Sequence, residues 1–133
     1  MKGRVLLICG ILLVTTPYAF AKRLAPAMVE PVVAEGVKYL APQVTPGYLE
    51  AYGVPPCPTG CVEAWEEKSG KLLWRVQVYT VPYDDQRERD VQDVFIRSLK
   101  IEDGSLLVEN EQGARFTVDL QSHAVKRQGQ PWK

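Results

Sequence analysis

Arg115-Phe116-Thr117-Val118-Asp119-Leu120 alternates polar and apolar side chains more cleanly than any other stretch of the chain. Successive side chains of a β-strand point to opposite faces, so this period of two sends Phe116, Val118 and Leu120 to one face and Arg115, Thr117 and Asp119 to the other. A strand of this kind belongs to an antiparallel sheet with one face buried and one in water. Working back from it, Asn110 to Gly113 is a turn, Leu106 to Val108 resumes the strand, Asp103-Gly104 is a tight-turn dipeptide, and Val94 to Ile101 is rich in β-formers but mixed on both faces. Beyond it, Gln121 to Ala124 leads to a short strand at Val125, and residues 128–133 form a frayed tail.

Upstream, Tyr83 to Asp93 is a charged connection with room for a helical turn, entered through Pro82. Before that proline, Lys71 to Val81 is the longest β-run, with Trp74, Val76 and Val78 on one face and Arg75, Gln77 and Tyr79 on the other. It forms a hairpin with Val62 to Glu66 across Glu67-Lys68-Ser69-Gly70, where Gly70 supplies the left-handed residue. Trp74, Val76, Val78, Phe116 and Val118 are therefore the expected core. From Ala41 to Gly60 five prolines and three glycines make a loop longer than most connections. Val32-Val33 and Val37 to Leu40 pair as a short edge hairpin around Ala34-Glu35-Gly36, confined there by Pro31 and Pro42. The sequence thus predicts a mainly all-β domain, an antiparallel meander or partly open barrel of about five to seven strands over residues 61–127. An extended, Pro-rich segment over 22–60 precedes it.

The first 21 residues follow a different logic. Lys2 and Arg4 precede an apolar run from Val5 to Val14, and Ala19-Phe20-Ala21 places small residues where a signal peptidase reads them. Thr15, Thr16 and Pro17 break the run well short of the ~20 apolar residues that span a bilayer. Cys9 follows the bulky Ile8, which disfavours lipidation. Cleavage after Ala21 predicts a periplasmic or secreted protein starting at Lys22, with 14 Lys plus Arg against 16 Asp plus Glu. That near-neutral balance has no basic stripe for nucleic acid. The mature chain keeps Cys57 and Cys61, an even number in an oxidising compartment, and a disulfide between them pins a loop rather than the fold.

Residues with chemical potential do not converge on a site. Thiol oxidoreductases place two residues between their cysteines at a helix start, whereas Cys57-Pro58-Thr59-Gly60-Cys61 is a turn; a zinc or copper site needs more donors, and His123 is the only histidine. Asp84, Asp85, Glu88, Asp90 and Asp93 are dense but lack the spacing and central glycine of a calcium loop, and Arg87 and Arg89 lie among them. Ser69, Ser98, Ser105 and Ser122 have no nucleophile-elbow context. Trp65, Trp74, Tyr79 and Tyr83 offer a stacking platform for a sugar or peptide, against the plainer assignment of Trp74 to the core. No catalytic, cofactor-binding or metal-ligating residue is expected.

Ala64-Trp65-Glu66-Glu67-Lys68-Ser69-Gly70-Lys71-Leu72-Leu73-Trp74 resembles the A-x-D-x-x-T-G-x-x-x-W signature of bacterial quinoprotein-type β-propeller repeats, with Glu66 in the Asp position and Ser69 in the Thr position. Leu107 to Leu120 is similar to the strand-turn-strand half of such repeats. The resemblance implies that Glu66 and Ser69 bond the turn, that Gly70 takes positive φ, and that Trp74 packs between sheets. It implies neither a propeller, which needs at least four blades of about forty residues, nor quinone or calcium binding. The mature chain also resembles small exported bacterial proteins with a V-x-D-V-F-I-x-S-L segment, here Val91 to Leu99.

These readings favour a non-catalytic exported binding or scaffolding module that contacts another protein by a strand edge or the Pro-rich loop. The alternatives are a redox or enzyme accessory protein using the Cys57/Cys61 pair or the acidic loop, and a small ligand-binding or inhibitor domain.

Overall fold

Each turn signal closes a hairpin. The computed structural model describes residues 24–43, 57 and 59–129; the signal segment and most of the Pro-rich loop lie outside the described residues. Eight strands run in order: β1 (Val32–Ala34), β2 (Val37–Leu40), β3 (Cys61–Glu66), β4 (Leu72–Gln77), β5 (Ile96–Glu102), β6 (Ser105–Asn110), β7 (Arg115–Asp119) and β8 (Val125–Gln128). They form two antiparallel four-stranded meanders, β1-β2-β3-β4 and β5-β6-β7-β8, not closed into a barrel. The fold is all-β, with no helix among the described residues. Six strands, β3 to β8, fall in the segment where five to seven were expected, the β1–β2 hairpin adds two from the segment before it, and β2 pairs with β3 so that one sheet carries across residue 60.

The two sheets share one apolar layer. Cross-strand partners point the same way, so Tyr39, Ala64 and Trp74 form one inward row of the first sheet and Val62 with Val76 the next. In the second sheet Leu99, Val108 and Phe116 form one inward row, and Ile101, Leu106 and Val118 the other. Tyr39, Val62 and Ala64 belong to the same buried cluster as Leu106, Val108, Phe116 and Val118. Tyr79 stacks on Phe116 with ring centroids 5.3 Å apart, just where the chain leaves one sheet for the other. Val78, Phe116 and Val118 are buried as the sequence indicates, whereas Trp74 and Val76 are half-buried at the margin of the core. The reason is position: β4 is an edge strand, with a neighbour on one side only.

Two bulges explain the irregular stretches. Between Ile96 and Ser98 the register shifts, turning Arg97 outward and returning Leu99 and Ile101 to the inner face. The period of two therefore breaks at Arg97, which is why Val94 to Ile101 mixes apolar and polar residues on both faces. A second shift at Ala64/Trp65 leaves Leu73 as the extra residue, 46% exposed. β4 ends at Gln77, short of the Val81 expected, because the Val78 and Tyr79 N–H groups turn to the Gly60 carbonyl at 2.7 and 3.4 Å. The connection from 83 to 93 holds hydrogen-bonded turns instead of a helical turn, Arg87 N–H to the Asp84 carbonyl and Gln92 N–H to the Arg89 carbonyl.

Burial predicts the ranking of core truncations. Phe116→Ala, at 5% exposure, should cost about 3–5 kcal/mol. Trp74→Ala should cost less, about 2 kcal/mol, because part of the indole is already in water. Urea melts of the two variants measure the order; a Trp74→Ala protein less stable than Phe116→Ala would move the centre of the core to the edge strand.

Candidate functional site

The cysteine turn is a structural clasp. Cys57 and Cys61 stand at disulfide distance, Cα to Cα 6.2 Å, and are 3% and 4% exposed. Gly60 between them adopts φ +81°, and a Cβ there would collide with the Tyr79 carbonyl. Gln77 Nε2 donates to the carbonyls of Thr59 and Tyr79, tying the turn to the end of β4. Burial removes both sulfurs from the attack that thiol exchange requires, which fits a structural pair rather than a redox one.

His123 is not a solvated turn residue. Its backbone sits at φ +61° in the β7–β8 turn, a conformation for which histidine is enriched, and its N–H bonds the Asp119 carbonyl at 2.8 Å. The turn presents the imidazole flat against Trp74, centroids 4.3 Å apart, so the ring of one sheet covers the edge strand of the other. Tyr39 packs on the same indole at 5.8 Å. In the β3–β4 turn, the Ser69 hydroxyl bonds the Glu66 carboxylate and accepts from Lys71 N–H at 3.2 Å, while Gly70 sits at φ +66°.

The sequence reading missed the most buried charge among the described residues. Glu63 lies on the outward side of β3 yet is 1% exposed; its carboxylate accepts from the Trp65 indole N–H at 2.9 Å and faces Arg75 Nε at 3.6 Å. Glu63 and Arg75 are cross-strand partners, so the register of β3 with β4 creates the pair. The detectable signal was one glutamate in the otherwise apolar run Cys61-Val62-Glu63-Ala64-Trp65. The pair is committed to holding strands together and holds Trp65 in a fixed orientation.

The acidic loop is organised by Gln92, also missed. Its Nε2 lies within hydrogen-bond reach of three carbonyls, Asp84 at 2.9 Å, Arg87 at 3.1 Å and Glu88 at 3.2 Å, while its Oε1 accepts from Asp84 N–H at 2.7 Å. The amide thus fills the space between the converging carbonyls. Asp84 caps Gln86 N–H, and Asp93 accepts from the Tyr83 hydroxyl at 2.6 Å beneath the Arg89 guanidinium. Burial and the bond to Asp93 push the Tyr83 hydroxyl pKa up. Among the described residues no group of three or more His, Cys, Asp or Glu side chains is placed to hold a metal, and no helix is long and apolar enough to cross a membrane.

What the surface offers is shape. Leu24 (87%), Met28 (62%), Val33 (50%) and Leu73 stand exposed on the arm before β1, on β1 and on β4. On the other side of the molecule, the outward face of the second sheet carries an open groove of about 330 Å³. The expected site residues divide accordingly: Cys57 and Cys61 meet Gln77 at one end of the first sheet, while Trp74 meets His123 across the gap between sheets. Comparison of the chain with known protein families and with characterised proteins finds no match.

Replacing Glu63 by Ala removes the carboxylate that faces Arg75 and accepts from the Trp65 indole, and should cost about 3 kcal/mol. Replacing both Cys57 and Cys61 by Ser opens a short loop and should cost only about 2 kcal/mol. Denaturant midpoints compare the two, and a double Ser variant less stable than Glu63→Ala would contradict the assignment of the clasp to local order.

Proposed function

We propose that the protein is an exported, non-catalytic binding module that contacts another protein through the margins of its first sheet. One observation carries this reading: among the described residues, the four most exposed large apolar side chains, Leu24, Met28, Val33 and Leu73, all lie on the arm and the two edge strands of that sheet. An edge strand has backbone donors and acceptors on one side free of ladder pairing, and apolar side chains beside them suit the addition of a partner strand. The groups with catalytic potential are otherwise engaged, the cysteines in the clasp, His123 on Trp74 and the acidic loop around Gln92, which supports a binding role over an enzymatic or redox one. Export rests on the N-terminal pattern and fits the cysteine pair. The near-neutral mature chain argues for a protein partner rather than nucleic acid. We read the Ala64 to Trp74 segment as a propeller-like strand-turn-strand unit used within paired sheets.

Photo-crosslinking residues placed at Met28 and at Leu73 in the exported protein should give a discrete protein adduct, with none from Gln121, an exposed turn position on the second sheet. Equal labelling from all three sites, or none from the first two, would overturn the reading. The mass of the crosslinked chain reports in the same experiment whether it starts at Lys22.

A further inference from the structure

The outward face of the second sheet is built differently from the first. Its side chains come from Ser98, Lys100, Leu107, Glu109, Arg115 and Gln128, which line the groove of about 330 Å³. Register explains the lining: Ser98 opposes Glu109 and Lys100 opposes Leu107 across β5 and β6, Glu109 opposes Arg115 across β6 and β7, and Arg115 opposes Gln128 across β7 and β8. Leu107 gives an apolar floor in the middle of a polar surface.

Charge is layered by depth. Glu109 is sunk, its side chain 23% exposed, and receives Arg115 Nε at 2.9 Å and Arg97 Nε at 3.7 Å. The Arg115 and Arg97 side chains are 69% and 63% exposed, and Lys100, 72% exposed, pairs with Glu102, 52% exposed, at 3.4 Å. Around Glu109 the acid is inside and the cations outside, so there an approaching molecule meets positive charge first, while Lys100 shares its charge with the exposed Glu102. Arginine held through Nε keeps its terminal nitrogens for a second carboxylate, the geometry that favours paired hydrogen bonds. Asp119, at the far end of the face, is engaged with its own turn: N–H groups of Ser122 and Gln121 at 2.7 and 2.9 Å hold its carboxyl below the usual range.

We propose that this groove docks an acidic, extended peptide segment of a protein partner, with carboxylates taken by Arg115 and Lys100 and an apolar side chain resting on Leu107. The volume, at the small end of ligand sites, suits a few side chains rather than a folded surface. The face is separate from the strand edges invoked above, so either assignment can fail without the other.

The test is titration of the ¹⁵N-labelled protein with an acidic probe peptide of alternating Glu and Leu, with an alternating Lys and Leu peptide as control and sedimentation of the protein alone in parallel. The acidic peptide should shift amides of Ser98, Lys100, Leu107, Arg115 and Gln128 and leave Leu73 unmoved. Lys100→Glu together with Arg115→Gln should weaken binding about tenfold or more, since charged hydrogen bonds are lost, and raising salt to about 0.5 M should weaken it too. Near-UV circular dichroism shows that the variant is folded, and Lys100→Glu alone, which leaves the Glu109 pair intact, should weaken binding in the same direction. Equal binding of the basic peptide, shifts elsewhere, or no shift would overturn the proposal. So would preferential capture of a sulfated polysaccharide or single-stranded DNA offered in competition, or self-association that occludes the same amides, which would assign the groove to a second copy.

Discussion

Neither four-stranded sheet can cover its own apolar face, and that constraint shapes the molecule. Val62 and Ala64 from the first sheet have no water on the inner side because Leu106, Val108, Phe116 and Val118 of the second fill it. A layer made of two sheets is the ordinary solution for amphipathic strands. It demands that the chain cross from β4 to β5 along one end, and the crossing is fixed by Tyr79: its ring stacks on Phe116, and its buried hydroxyl donates to the Val94 carbonyl at 2.6 Å. Burial raises the pKa of that hydroxyl well above the ordinary tyrosine value, keeping it a donor throughout the physiological range. The Cys57–Cys61 clasp and Gly60 matter because they place the start of this crossing.

Polar groups follow from the same architecture. Where a charge must lie inside, as Glu63 does, a cross-strand cation and an indole N–H satisfy it. Where carbonyls converge, as in the 84–88 loop, a glutamine amide fills the centre. Such arrangements satisfy the buried polar groups within the fold. The surfaces that remain are of two kinds, an apolar margin on one sheet and a cation-rimmed groove on the other.

Much of this was legible in the sequence, for a definite reason. Phe116 and Val118 alternate with polar residues because β7 is an inner strand wet on one face, and period-two patterns report that condition directly. The turn at Asp103-Gly104 and the hairpin at 67–70 were visible because glycine is required at a positive φ. Trp74 was placed on the correct face but too deep, since a pattern of faces carries no information on whether a strand is central or at an edge. Residues 94–101 resisted reading because a bulge at Arg97 reverses the faces mid-strand. Glu63, Gln92 and His123 were opaque for a deeper reason: each acts through partners brought by register or loop closure, Arg75, the Asp84 carbonyl and Trp74, and none of those pairings follows from local spacing.

The claim that the two meanders share one core is tested most directly by perturbing one sheet and reading the other. Trp65 and Trp74 both belong to the first sheet, so in a Trp132→Phe background their fluorescence follows that sheet, while far-ultraviolet circular dichroism follows all eight strands. Leu106→Ala cuts a fully buried side chain from the second sheet and should cost about 2–5 kcal/mol. If the core is shared, the urea midpoints by fluorescence and by circular dichroism fall together and by the same amount. A fluorescence transition that stays at the parent midpoint while the circular dichroism splits in two would show sheets that fold independently, and would contradict the account.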